Sequence, residues 1–222
     1  MERQAETALL ERLYTSPHFP AYVEEMSARL KKEARKRREF YSTITEDDKV
    51  EFINGEVIYQ SPVKLRHVSA GQNLFSLLKM HVAINQLGLV GHEKLMISLS
   101  RNDYEPDIVF FGRAKADAFT PDQMHFPAPD LVVEVLSPST EERDRGIKFE
   151  DYAAHGVSEY WLIDPDAETI EQYRLSGESY ELVMKSRSGE IESVAVERFT
   201  IPVRAVFDDA THQTTLRLLL AG

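Results

Sequence analysis

The sequence has no cysteine among its 222 residues. This excludes disulfides, zinc–thiolate sites and a cysteine nucleophile, and it fits a reducing compartment. The sequence also has no apolar run that approaches a membrane span, and its first residues do not form a secretory signal. We therefore expect a cytoplasmic protein with no membrane segment.

The sequence also has fewer basic than acidic residues, 26 against 37, which gives a net charge of −11. A deficit of this kind argues against broad, non-specific affinity for nucleic acid, which needs a positive field. It does not exclude a nuclease, because bound divalent ions supply local positive charge. Residues 29–38 form an exception, with seven basic residues and one acid. They form either a solvated helix face or an arm that binds a nucleic-acid backbone.

The chain length and its 42% hydrophobic content predict one good-sized domain. Residues 1–40 differ from the rest, because they contain two short amphipathic helical patterns separated by Ser16-Pro17. We divide the chain into a helical extension, residues 1–40, and a main domain, residues 41–222. The extension could pack on the main domain, on a partner, or on a second copy to form a homodimer.

The main domain alternates strand and helix patterns. Asn54-Gly55 between two β-prone segments predicts a tight hairpin over residues 50–59. A long amphipathic helix follows over 63–87, and one continuous helix is expected from about 139 to 154. Buried strands are expected at 108–111, 131–136 and 159–164, with antiparallel additions after them. The order predicts a mixed α/β fold with a central sheet flanked by helices.

Glu134 lies within an otherwise apolar, β-branched run, residues 131–136, which predicts a strand buried on both faces. A carboxylate there costs several kcal/mol unless it is paired, protonated or bound to a cation. Asp107 precedes a second buried strand, and Lys148 lies on the helix that follows Glu134. Alternation puts Val132, Glu134 and Leu136 on one face, which that helix covers. Two carboxylates and a lysine suggest a metal-dependent phosphodiesterase site; the alternative is a buried ion pair without chemistry.

These residues resemble a known family. The resemblance is to the Uma-type family of proposed endonucleases, in the PD-(D/E)xK, restriction-endonuclease-like superfamily. It covers about residues 44–207, and no single motif carries it alone. The motifs are Gly55-Glu56, Pro106-Asp107, residues 134–140, Asp144 with Lys148, and residues 152–165.

The resemblance implies a restriction-endonuclease-like sheet and metal-dependent hydrolysis of phosphodiester bonds, with DNA as the expected substrate. Asp107 and Glu134 match the two acids of the superfamily, and Lys148 matches a variant whose lysine has moved to the next helix. The usual lysine position, two residues after the second acid, is Leu136 here. Asp107, Glu134, a backbone carbonyl near Val135 and, for a second ion, Glu56 would then bind Mg²⁺ or Mn²⁺, which prefer oxygen ligands.

Other interpretations stay open. The acidic charge and the displaced lysine are compatible with a catalytically inactive nuclease fold that serves binding or assembly. Hydrolysis of RNA or of a nucleotide is a further possibility, since a metal ion contacts the phosphate and not the sugar. Glu56 follows the hairpin turn and could simply be exposed, and His67, early in the long helix, could be a packing residue.

Overall fold

A computed structural model describes residues 2–221 of the chain. The helices are α1 (Glu2–Tyr14), α2 (Phe19–Thr43), α3 (Leu65–Asn85), α4 (Arg113–Ala116), α5 (Glu141–Arg145), α6 (Ile147–Ala154), α7 (Arg204–Phe207) and α8 (Asp209–Ala221). The first strands are β1 (Val50–Ile53), β2 (Glu56–Tyr59), β3 (Gly88–His92), β4 (Met96–Ser98), β5 (Asp103–Tyr104), β6 (Ile108–Gly112) and β7 (His125–Phe126). The remaining strands are β8 (Leu131–Val135), β9 (Glu159–Asp164), β10 (Thr169–Ser176), β11 (Ser179–Ser186), β12 (Glu190–Glu192) and β13 (Thr200–Pro202).

The central sheet has six strands in the order β11-β10-β9-β8-β6-β3. Strands β8 and β9 are parallel, and the other neighbouring strands in this sheet are antiparallel. A parallel pair needs a crossover connection, which α5 and α6 supply. A second sheet, ordered β2-β1-β5-β4-β7, and the small β12-β13 pair complete the architecture. The predicted mixed α/β fold with a central sheet is therefore confirmed.

Strand β8 is buried on both faces, because helices cover both sides of the central sheet. Val133 and Val135 pack in the core that contains α3, whereas Val132 and Leu136 pack in the core that contains Tyr152 of α6. The alternation predicted for this strand is confirmed, and it places Glu134 on the α6 side.

The Asn54-Gly55 hairpin is confirmed with its predicted bounds. Asn54 has φ +50° and Gly55 has φ +82°, so both turn residues adopt the left-handed conformation that a two-residue turn of this kind requires. The four register pairs run from Val50–Tyr59 to Ile53–Glu56. The turn therefore fixes which side chains of β1 share a face with those of β2.

The helix after β8 is not continuous, so the prediction of one helix from about 139 to 154 was wrong. Gly146 interrupts it with φ −111° and ψ −106°, and α6 starts at the next residue. A Cβ atom at this position would lie only 2.8 Å from the carbonyl oxygen of Glu142. The break therefore uses the small size of glycine and places Lys148 in the first turn of a new helix.

Helix α2 is attached to the second sheet at its C-terminal end. Phe40 is buried and stacks on Phe52, with ring centroids 5.4 Å apart. Arg37 donates to both carboxylate oxygens of buried Asp103, at 2.7 and 2.8 Å. Part of the basic segment 29–38 thus anchors the helix. Seven large apolar side chains of α1 and of the first part of α2 are exposed, whereas Leu13 and Phe19 are half-buried; the exposed ones are Leu9, Leu10, Tyr14, Tyr22, Val23, Met26 and Leu30. No helix in the described part of the chain is both long and apolar enough to cross a membrane.

Candidate functional site

Lys148 is the centre of a buried charge cluster. Its Nζ atom lies 2.8 Å from Glu51 Oε1, 3.1 Å from Glu134 Oε1 and 3.1 Å from Asp144 Oδ1. The side chain of Lys148 is only 2% exposed, and those of its three partners are equally shielded from solvent. The pairing of Lys148 with Glu134 that the sequence suggested is present, and Asp144 and Glu51 are further partners.

Four separate elements bring these side chains together. Glu51 comes from β1 in the second sheet and Glu134 from β8 in the central sheet. Asp144 on α5 and Lys148 on α6 are four positions apart, so they meet across the Gly146 break. The cluster therefore joins both sheets to the crossover helices, and its geometry depends on the whole fold.

Asp107 lies beside this cluster, just before β6. Its Oδ2 atom accepts a hydrogen bond of 2.7 Å from the backbone N–H of Val135, and His67 Nε2 lies 3.7 Å from the same oxygen. Asp107, Glu134, Val135, Lys148 and His67 all line one small cleft of about 30 Å³. The structure thus brings together the two acids, the lysine and the strand residue that the sequence selected.

Glu56 does not line this cleft. It is exposed and pairs with Ile53 at the turn end of the hairpin. Glu51 lies two residues before Ile53 on β1 and therefore points to the same face, roughly 7 Å further from the turn. The structure consequently brings Glu51, and not Glu56, to Lys148. The sequence contained a signal for this residue, since Glu51 is also a charge in a short apolar strand.

Glu105 is a further acid that the sequence analysis did not select. It lines the cleft, accepts a hydrogen bond from the backbone N–H of Val50 at 3.1 Å, and donates its own N–H to Glu51 at 3.1 Å. Burial raises the pKa of Glu105 to about 7, and neighbouring Glu51 adds to this effect while the Val50 N–H opposes it. Its position two residues before Asp107 ties the second sheet to the cleft.

The electrostatics of the cluster are dominated by burial. Burial raises the pKa of Glu134 well above its ordinary value; Lys148 opposes this, and Asp144, Asp107 and Glu51 reinforce it. Burial likewise raises the pKa of Asp107, against the effects of His67 and the Val135 N–H. For Lys148, burial alone would lower the pKa, but Glu134, Glu51 and Asp144 together raise it well above normal. The acids of the cluster and the cleft outnumber the lysines there: Glu51, Glu105, Asp107, Glu134 and Asp144 against Lys49 and Lys148.

The donor set fits a small divalent cation. No group of three or more His, Asp or Glu side chains in the described residues is arranged to hold one ion. Mg²⁺ commonly uses only one or two carboxylates and keeps several waters, which matches Asp107 and Glu134. Strand β8 runs two residues beyond its last register pair with β6, Ile108–Val133, so Val135 has no partner on β6, although it still pairs with Ile163 of β9. A carbonyl ligand there is compatible with this geometry.

Comparison with known proteins shows the family to which the chain belongs. Residues 37–204 match the Uma2 family model, described as "Putative restriction endonuclease". The chain belongs to this family. An uncharacterized protein of Synechocystis sp. is 31% identical over 150 residues, which cover 65% of this chain and 84% of that protein.

The fold has a counterpart among solved structures. A crystal structure from Anabaena variabilis ATCC 29413, titled as a putative nuclease belonging to DUF820, superposes with a TM-score of 0.67. The superposition covers 81% of this chain and 97% of that one, at 20% identity. Similarity at this level of identity establishes the fold alone. The family and fold expected from the sequence motifs are both confirmed.

Proposed function

We propose that this chain is a divalent-metal-dependent endonuclease that hydrolyses phosphodiester bonds in DNA. The observation that carries the proposal is the convergence of Asp107, Glu134 and Lys148 from three different elements on one cleft. The description of the matched family as a restriction endonuclease supports a nuclease and favours DNA as the substrate.

Each residue has a physical role in this proposal. Asp107, Glu134 and the Val135 carbonyl would hold Mg²⁺ or Mn²⁺, which when bound supplies an activated water and neutralises phosphate charge. Asp107 is oriented for this by its hydrogen bond from the Val135 N–H. Lys148 keeps its proton beside three carboxylates, so it can stabilise negative charge on the phosphorus oxygens.

The position of the lysine is consistent with this role. Leu136 occupies the usual lysine position, and its side chain is buried in the core on the α6 side of β8. Lys148 enters from the helix above the same face and places its Nζ atom 3.1 Å from Glu134. The ammonium group of Lys148 on α6 therefore lies beside Glu134, the same acid that a lysine at position 136 would approach.

The test is cleavage of single- and double-stranded DNA with Mg²⁺, with Mn²⁺ and with a chelator. Glu134→Gln and Asp107→Asn should each lower the rate by at least about a hundredfold, because an ion would lose one of its few side-chain ligands. Glu142→Gln, at an exposed position on α5, is the matched control and should cleave normally. Activity that persists in Glu134→Gln, or that does not need a divalent ion, would refute this site.

The second candidate function is a catalytically inactive module for binding or assembly. It is favoured by the observation that Lys148 already neutralises part of the acid cluster, and that the described residues contain no three-residue metal group. This alternative predicts no Mn²⁺ binding at Asp107 and Glu134. Calorimetric titration with Mn²⁺ tests this alternative. Mn²⁺ binding by the wild-type chain that is lost in Asp107→Asn would contradict it.

We also propose that residues 1–40 act as an extension through which the chain forms a homodimer. The support is the row of exposed apolar side chains on this extension; Met26 and Leu30, for example, are 51% and 56% exposed. Exposed apolar surface of this kind commonly marks an interaction site. Sedimentation analysis should show a dimer that dissociates in Met26→Glu/Leu30→Glu, whereas Lys31→Glu/Lys32→Glu should not dissociate it. A monomeric wild-type chain would contradict the proposal.

A further inference from the structure

The acid cleft is too small for a nucleotide, but it borders a larger cavity. The cleft has about 30 Å³, enough for roughly one or two water-sized groups. The adjoining cavity has about 300 Å³, at the lower end of the range for small-molecule sites. Four residues line both spaces: Ser61, Val63, His67 and Ser139. A molecule that places one phosphate oxygen in the cleft therefore has room for its neighbouring group in the second cavity.

The walls of this second cavity, which we call the proline slot, are apolar. Its apolar lining consists of Pro62, Val63, Leu136, Pro138 and Pro165. Its polar lining residues come from the segment between β2 and α3, from the start of α3, from the loop after β8 and from the turn after β9; they include Lys64, Arg66, Ser137 and Asp166. A nucleotide has the same division, with an apolar base face, a polar base edge and a charged phosphate.

Charge distinguishes the proline slot from the other cavity beside the cleft. That other cavity, of about 560 Å³, meets the cleft at Glu105 and carries the additional acids Glu46 and Asp48 against the single cation Lys94. The slot carries Lys64 and Arg66 against one acid, Asp166, which pairs with Arg66. A polyanionic strand is therefore attracted toward the slot and repelled from the larger cavity.

We propose that the proline slot binds the nucleotide next to the scissile phosphate. The inference rests on the proposed nuclease function and adds the location of a binding subsite to it. Lys64 contacts the flanking phosphate, and the apolar walls receive the base. The slot thereby fixes which phosphate of the strand presents an oxygen to the acid cleft.

The experiment compares two labelled single-stranded oligomers of equal length, one of deoxythymidine and one abasic, by fluorescence anisotropy in Ca²⁺. The wild-type chain should bind the base-containing oligomer more tightly. Ser137→Leu fills the slot and should weaken only that binding, by about tenfold. Lys64→Ala should weaken both ligands and reduce the salt dependence by about 0.7 in slope. Lys79→Ala, an exposed lysine further along α3, is the control and should change neither.

The outcomes separate this proposal from the nuclease itself. A wild-type chain without preference for bases, or a folded Ser137→Leu that keeps the preference, would overturn the slot. If the slot proposal fails in this way but the wild-type chain still cleaves DNA and Glu134→Gln does not, the proposed nuclease function stands without the slot. Slot-dependent binding without cleavage in Mg²⁺ or Mn²⁺ would instead support nucleotide binding in the slot and refute the nuclease. Thermal unfolding checks that Ser137→Leu is folded, and Lys64→Ala tests the same subsite without adding volume.

Discussion

Lys148 and Glu51 form a buried ion pair, with Nζ and Oε1 2.8 Å apart, that connects the crossover helix to the hairpin of the second sheet. Each of the two side chains is at most 2% exposed. A charge in this environment is tolerated because the partner charge and its hydrogen bonds compensate the loss of water. The same lysine also neutralises Glu134, so its position serves both folding and the proposed chemistry.

Lys148→Met should therefore destabilise the protein by about 3–5 kcal/mol, because it leaves Glu51, Glu134 and Asp144 buried without their cation. Urea denaturation of the wild-type chain and of Lys148→Met at neutral pH measures this difference in the free energy of unfolding. Lys115→Met is the control, since Lys115 pairs with Asp130 while 37% exposed and should cost less than about 1 kcal/mol. Equal losses in the two variants would mean that the cluster contributes nothing beyond an ordinary surface pair.

Glu51→Gln and Glu56→Gln distinguish the two glutamates of the first hairpin. We expect Glu51→Gln to lower the DNA cleavage rate by about 10–100-fold, because Lys148 loses a partner that orients it toward the cleft. Glu56→Gln should leave the rate unchanged, since Glu56 is exposed at the turn end of the hairpin. Steady-state cleavage assays under identical metal concentrations give the comparison. If Glu56→Gln slowed cleavage and Glu51→Gln did not, Glu56 rather than Glu51 would contribute to the site.

Local sequence patterns predicted much of the central sheet and its site. The apolar run around Glu134 sufficed to predict a buried strand, and its period of two identified the face on which Lys148 meets the acid. The Asn-Gly dipeptide likewise specified the first hairpin. These features depend on neighbouring residues and on strong conformational preferences, which a single sequence displays directly.

The parts that were missed depend on contacts between distant residues. Glu51 reaches the cluster through the pairing of β1 with β5, the strand that comes directly before β6 of the central sheet. The interruption of the crossover helix at Gly146 could not be distinguished from a helical glycine, since glycine is tolerated within helices at modest cost. Arg37 could not be distinguished from the other residues of a solvated basic face, because its partner Asp103 lies 66 positions away in the sequence.

Arg37→Ala should weaken the attachment of α2 to the main domain. The guanidinium donates to both oxygens of Asp103 and to the backbone carbonyl of Leu99, so its loss leaves Asp103 buried without a cation. We expect a loss of about 3 kcal/mol and faster tryptic cleavage at Lys31 and Lys32. Arg38→Ala, at the adjacent exposed position, should have little effect on either measurement. If both variants resist trypsin equally, the anchor does not depend on this ion pair.

Glu171 gives a prediction for pH dependence. Hydrogen bonds from Arg145 at 2.8 and 2.9 Å outweigh the opposing effect of burial and, with help from Tyr173 and Lys185, lower its pKa to about 2. An acid with a lowered pKa stabilises the fold above its unfolded pKa, ordinarily 4.5, and this stabilisation is lost as the pH falls toward 2. The contribution at neutral pH is on the order of 2–3 kcal/mol.

Glu171→Gln should consequently be less stable than the wild-type chain by that amount at pH 7, with the difference shrinking by more than half near pH 3. Urea denaturation across this pH range measures the difference, and subtracting the two curves removes the titration of other groups. Glu181→Gln, an exposed position on the neighbouring strand β11, should follow the wild-type curve throughout. A Glu171→Gln deficit that stays constant from pH 7 to pH 3 would show that Glu171 acts through packing rather than through its charge, because only the ionised carboxylate accepts both Arg145 hydrogen bonds.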